Sequence, residues 1–229
     1  MNNITLFGTC RINGVHKNNN INNQVNYPHS TKEIIQEIYF LTGAITIPHP
    51  YNFFCFRSGI LQNSNILLTT ELQEAFSRST LCIIEICSMK KYMCDGFYLH
   101  HLAVDKRFQS YNNTHDFLKS FECTMQNAQE IEEDILHIKK LIGNKKLIIV
   151  SHYNAKLNEE YMEARNSLIT ILSEICSKQS IPLIKPSEVL IDYTQNEVMT
   201  DDLGHYTPFG HKIFSDFMNS YIEKQEEIL

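Results

Sequence analysis

The chain has 229 residues, 43% of them hydrophobic and 20% charged, with a net charge of −6 from 26 acidic against 20 basic side chains. That size and balance suit a single globular domain over residues 1–229 with a well-buried core. The acidic balance argues against nucleic-acid or anionic-membrane partners, which favour clustered Lys and Arg, and no apolar run reaches the roughly 20 residues that span a bilayer.

The start, Met1-Asn-Asn-Ile-Thr-Leu-Phe-Gly8, lacks the basic and long apolar stretches of a signal peptide, so a cytoplasmic protein is expected. Ile4 to Phe7 reads instead as a buried first strand ending at Gly8. Seven cysteines, at 10, 55, 82, 87, 94, 123 and 176, form no CxxC pair. Neither a disulfide framework nor a zinc site is expected, and most of the thiols read as small buried hydrophobes.

The Asn-rich loop that follows ends at Ser30, which with Glu33 forms a capping-box pattern. Ile34, Ile35, Ile38 and Leu41 continue at helical spacing up to Gly43. Residues 44–66 read as loop with short elements, and Glu71 to Phe76 as a short helix. Leu81 to Cys87 is a continuous apolar run, the pattern of a strand covered on both faces. Residues 88–123 read as irregular and aromatic-rich.

From Met125, apolar residues at 128, 131, 135, 138 and 142 mark an amphipathic helix stopped by Gly143. Lys146 to Val150 is a further buried strand. Tyr161, Leu168, Leu172 and Ile175 mark another helix, and Pro182 to Lys185 a short strand. Thr207-Pro208 is a helix start with Thr as N-cap and Pro in the first turn. Its expected inner stripe is Phe209, Ile213, Phe217 and Tyr221.

Strands alternating with helices imply an α/β fold, a three-layer α/β/α sandwich around a mostly parallel sheet. Ligands of such folds bind at the carboxyl ends of the strands. Two strand ends carry chemistry. The first reads Gly8-Thr9-Cys10-Arg11-Ile12-Asn13-Gly14, where a thiol stands just beyond a glycine turn. A histidine can draw off its proton, and Arg11 can stabilise the thiolate. The last loop contains Asp202 and His205. A carboxylate at that spacing holds one imidazole nitrogen and leaves the other to accept a proton from a nucleophile.

Asp202-x-x-His205 before a Pro-containing helix start resembles the last block of the SGNH (GDSL-type) hydrolases. Gly8-Thr9-Cys10 with Gly14 is similar to their first block, with Thr for Asp and Cys for Ser. The cysteine resembles the GSCFA group and a set of capsule-polysaccharide acetyltransferases. The resemblance implies a Cys10–His205–Asp202 triad with an oxyanion hole drawn from the Cys10 backbone N–H, a glycine and an asparagine. Asn154, after the third strong strand, matches that asparagine, although His152 stands where the family carries glycine. Asn154 therefore has two readings, an oxyanion donor and a turn residue. The family's middle glycine is not singled out among Gly43, Gly59 and Gly96.

The resemblance implies an O-acyltransferase or esterase acting on a glycan or other hydroxylated small molecule. No tightly bound cofactor and no metal is expected, and acyl-CoA is a candidate acyl donor. The competing reading is a catalytically inactive SGNH-like module that binds a glycan or a protein. A flavodoxin-like phosphate binder is disfavoured, because no Gly-rich phosphate loop is present.

His152 is expected to line the site, with Gly8, Thr9 and Arg11 on the nucleophile's turn. Glu85 and Ser88 flank the second strand end, and a carboxylate in an apolar run needs a partner, Arg11 or Arg57. Arg57 and Arg107 are either substrate-anion binders or solvated surface. His100 and His101 are adjacent, so their side chains are expected to diverge and to make poor joint metal ligands.

Overall fold

The computed structural model describes residues 3–16, 24–105 and 120–227. Arg107 lies outside the described residues. Four parallel strands form the central sheet: β1 (Ile4–Phe7), β2 (Leu81–Ile86), β6 (Lys146–Ser151) and β9 (Leu183–Ile184), in the order β1-β2-β6-β9. Phe7 pairs with Ile84, Ile86 with Ser151, and Val150 with Ile184, so all four carboxyl ends open on one edge.

Side chains alternate across these strands, and each face has its own core. Phe7, Ile84, Ile86 and Ile149 pack with Ile34 and Ile38 of α1 (Thr31–Leu41) and with Ile131 and Ile135 of α5 (Ala128–Ile142). On the same face lie the short helices α2 (Tyr51–Cys55), α3 (Arg57–Gln62) and α4 (Thr70–Arg78), and the long α6 (Glu163–Gln179). Leu6, Ile83, Ile148 and Val150 pack on the opposite face against the 3₁₀ segment Cys10–His16 and α9 (Pro208–Glu227), joined by α7 (Pro186–Val189) and α8 (Gln195–Val198). Two filled faces make the three-layer α/β/α sandwich that the alternating pattern implies.

Ser30 caps α1 as its pattern implies: its Oγ accepts from Glu33 N and donates to Glu33 Oε1 at 3.0 Å. In α5, Ile131, Ile135, Ile138 and Ile142 are buried, matching the apolar stripe, and each contributes roughly 1.5–3 kcal/mol by leaving water. Residues 88–123 differ from the irregular expectation where described. Strands β3 (Lys90–Cys94), β4 (Phe97–Leu99) and β5 (Glu122–Met125) form a small antiparallel sheet in the order β4-β3-β5. The alternation there is weak because β5 is exposed on both sides.

Met125 and Tyr161 belong to strands rather than to the helices that follow. They are 51% and 53% exposed, and Tyr161 closes the hairpin of β7 (Lys156–Leu157) and β8 (Glu160–Tyr161). The inner stripe of α9 is also corrected. Phe214, Met218 and Ile222 are buried while Phe209 and Phe217 are exposed. The helix is rotated by about one residue because Gly14 and Ser215 meet: a Cβ on Gly14 would lie 1.8 Å from Ser215 Oγ. Small residues there let the 3₁₀ segment lie close against α9.

Candidate active site

The first loop is tied to the second strand by one buried carboxylate. Glu85 is 1% exposed and points to the face covered by the Cys10–His16 segment. Its Oε2 accepts from Thr9 N at 2.7 Å and from Thr9 Oγ1 at 2.6 Å. Its Oε1 accepts from Arg11 Nε at 2.6 Å. Glu85 therefore holds the residues on both sides of Cys10. Arg11, not Arg57, is its partner. Gly8 is required where the turn crosses Glu85, since an added Cβ would come within 2.8 Å of Glu85 Cβ.

Arg11 also reaches the far end of the chain. Its Nη1 donates to Gly204 O at 2.7 Å, and Gly204 immediately precedes His205. Arg165 supports the same loop, donating from Nη1 to Leu203 O at 2.5 Å. From the other side, His211 Nε2 contacts Cys10 O at 3.1 Å, anchoring the cysteine turn on α9.

Asp202 and His205 form the expected pair. Asp202 Oδ1 accepts from Thr200 Oγ1, Gly204 N and His205 N at 2.8, 2.7 and 3.0 Å. Asp202 Oδ2 lies 2.7 Å from His205 Nδ1. With Nδ1–H donated to the carboxylate, Nε2 is left as the accepting nitrogen. Bonding to His205, Thr200 and Gly204 holds the Asp202 carboxyl well below the usual range, so it is ionised at any working pH. Both side chains are more than half exposed, so the pair is open to solvent.

The thiol differs from expectation. Burial raises Cys10 above its ordinary value; Arg11 and Arg57 pull it down, Glu85 pushes it up, and the balance stays upward. Arg11 does not produce a resting thiolate, because its charge is shared with Glu85. A thiol raised in this way is protonated at rest.

His152 is 6% exposed and its Nδ1 lies 3.0 Å from Tyr153 O. Burial and the charges of Arg11 and Arg165 hold it neutral. Asn154 faces away along a different contact: its Nδ2 donates to Asn166 Oδ1 at 2.9 Å, and its backbone N–H donates to Ser187 Oγ at 2.6 Å. It lines an open groove of about 990 Å³ with Tyr153, Lys156, Tyr161 and Tyr193. Arg57 lies 4.5 Å over the Tyr27 ring, and Tyr27 accepts from Asn13 Nδ2 at 2.5 Å. Gly59 packs on the Phe53 carbonyl, where a Cβ would sit 2.5 Å from the oxygen. Gly43 and Gly96 occupy left-handed positions at φ 73° and 85°.

Sequence reasoning missed Arg165 and His211, each a lone polar residue on a helix with no local motif to mark it. Of the seven thiols, Cys55, Cys82, Cys94 and Cys176 are buried and Cys123 is exposed. No helix among the described residues is long and apolar enough to cross a membrane.

The profile of the family described as TviD N-terminal domain matches residues 2–114 and 103–220. The chain is 25% identical over 268 residues to Vi polysaccharide biosynthesis protein TviD of Salmonella typhi. That alignment covers 96% of this chain and 31% of the relative, so the chain spans about a third of the length of the protein it matches. Among solved structures, a GDSL-like lipase from Bacteroides thetaiotaomicron is similar over 97% of this chain and 88% of its own, at 13% identity and a TM-score of 0.45. By its sequence the chain belongs to the TviD N-terminal domain family.

Proposed function

We propose that this domain transfers or cleaves acyl groups on a hydroxylated glycan, with Cys10 as nucleophile and His205, oriented by Asp202, as its base. The observation that carries the reading is the Arg11 strut, which docks the Asp202–His205 loop onto the turn that holds Cys10. His205 Nε2 takes the Sγ proton as sulfur bonds to the acyl carbonyl carbon. The donor's leaving group departs with that proton. A glycan hydroxyl or water then gives its proton to His205 and attacks the thioester. The carbon–sulfur bond breaks and the proton returns to Cys10. The backbone N–H of Cys10 serves the oxyanion; Asn154 keeps one of its two amide hydrogens on Asn166, which leaves the other to join it. Each such donor is worth about 3 kcal/mol. The polysaccharide named for the TviD relative supports a glycan as acceptor, and acyl-CoA is the donor to try first.

The test is acetyl transfer from acetyl-CoA or p-nitrophenyl acetate, followed by peptide mass mapping. A thioester on the peptide carrying Cys10, formed far more slowly in His205→Ala and absent in Cys10→Ala, is the expected result. Full turnover by Cys10→Ala would refute it. The raised thiol and the engaged Asn154 favour one other reading, a non-catalytic glycan-binding module. It predicts glycan binding with no acyl adduct in any variant.

A further inference from the structure

Three histidines from separate parts of the sequence meet beside the strand ends. His29 is pinned to the end of β2, its carbonyl accepting from Cys87 N at 3.1 Å and Ser88 N at 3.0 Å. His100 and His101 sit where β4 turns into a 3₁₀ segment. That turn defeats the expected divergence of adjacent side chains: the two ring centroids are 4.4 Å apart. The His29 ring lies 4.2 Å from His101 and 5.4 Å from His100. One ligand nitrogen from each residue falls within 4.8 Å of the others. His100 is fully buried, while His29 and His101 are half-buried and reachable from solvent.

We propose that His29, His100 and His101 form a three-nitrogen site for a divalent borderline cation of the zinc class. The chemistry of the donor set supports this. Zinc bonds imidazole nitrogen at about 2.0–2.1 Å, which puts two ligands about 3.4 Å apart, and side-chain rotations of about an ångström reach that from the observed spacing. His100 already has the outer bond that orients a metal-binding imidazole. Its Nε2 lies 3.2 Å from Tyr27 O, so Nε2–H donates there. Its Nδ1 accepts a long bond of 3.2 Å from Leu102 N–H, which the metal replaces. Burial and the neighbouring cations hold His29 and His100 neutral, the form that binds metal. Of those cations Arg11 is neutralised by Glu85, which leaves Arg57 as the opposing charge. The adjacent thiol, Cys87, is pushed up to about 12 by burial and stays out of the set. Three nitrogens leave a fourth position for water or an anionic ligand, as in zinc sites that keep an open position.

The test is independent of acyl chemistry. Chelator-treated protein is titrated with zinc by equilibrium dialysis and with cobalt by visible spectroscopy. One metal per chain and a cobalt d–d spectrum without a thiolate charge-transfer band are expected. His29→Ala and His101→Ala should each weaken zinc at least about 10-fold, since losing a direct ligand costs no less than losing an outer partner. The melting temperature in chelator reports whether each variant folds. A thiolate band, no cobalt spectrum in the wild type, or unchanged zinc affinity in the folded His29→Ala, His101→Ala double variant would overturn the site.

Discussion

Replacing Glu85 by Gln separates stability from positioning. The carboxylate is 1% exposed and satisfies three donors, two on Thr9 and one on Arg11. A glutamine amide offers one acceptor oxygen and turns its NH₂ towards donors, so either Thr9 or Arg11 loses its partner. Arg11, 7% exposed, is then a buried cation without a counter-charge. Removing one member of a buried pair costs about 3–5 kcal/mol. Urea unfolding at pH 7 should therefore show Glu85→Gln destabilised by about that amount. Turnover of p-nitrophenyl acetate by the folded fraction should fall on the order of 100-fold, the effect of roughly an ångström of misplacement at a reacting atom. The double variant Arg11→Met, Glu85→Gln should recover much of the stability, because no buried cation is then left without a counter-charge. It should not recover turnover, since the bond to Gly204 O stays broken. A Glu85→Gln protein within about 1 kcal/mol of wild type with unchanged turnover would refute the strut. So would a double variant that regained activity together with stability.

Three further outcomes follow from the same geometry. Asp202→Asn removes the acceptor for His205 Nδ1–H and should lower kcat on the order of 10³-fold or more without changing the melting temperature, because the pair is exposed. Glu33 is buried and its carboxyl is raised to about 8. The folded state then holds a proton that the unfolded chain releases above its ordinary value of about 4.3. Glu33 should contribute a fall of about 1.4 kcal/mol per pH unit between roughly 4.3 and 8, and Glu33→Gln should remove that contribution, leaving the one from Glu37, while keeping the Ser30 cap. Urea midpoints at pH 5 and pH 8 measure it. Gly14→Ala places a methyl 1.8 Å from Ser215 Oγ and should cost about 1–3 kcal/mol by thermal melting. Activity should fall too, because the same segment begins at Cys10.

The fold was legible where pattern is a direct consequence of burial. Leu81 to Ile86 and Lys146 to Ser151 are apolar because both sheet faces are covered, and the isoleucines of α5 repeat at three and four because one stripe is buried. The antiparallel β3–β5 sheet was hidden because its residues are half-exposed and lack a period. The rotation of α9 was hidden because the close meeting of Gly14 with Ser215, 201 residues apart, leaves no local trace. At the site, Asp202 and His205 announced themselves by spacing, and Glu85 by being a carboxylate within an apolar run. The raised Cys10 thiol was not legible, because Glu85 also claims the charge of Arg11, the residue expected to lower it. Nor was the meeting of His29 with His100 and His101, which depends on how residues 24–30 lie across the end of β2.

The bond from Arg11 to Gly204 joins positions 193 residues apart. A chain emerging from the ribosome therefore presents Cys10 early and has nothing to set it against until Gly204, His205 and the first turns of α9 have followed. Glu85 can grip the cysteine turn well before His205 has been made, 120 residues further along the chain. Nascent and truncated forms would expose a thiol without its base. On the proposed reading, chemical competence waits for the segment through the first turns of α9, and its appearance during refolding should coincide with the closing of this long-range contact rather than with formation of the sheet.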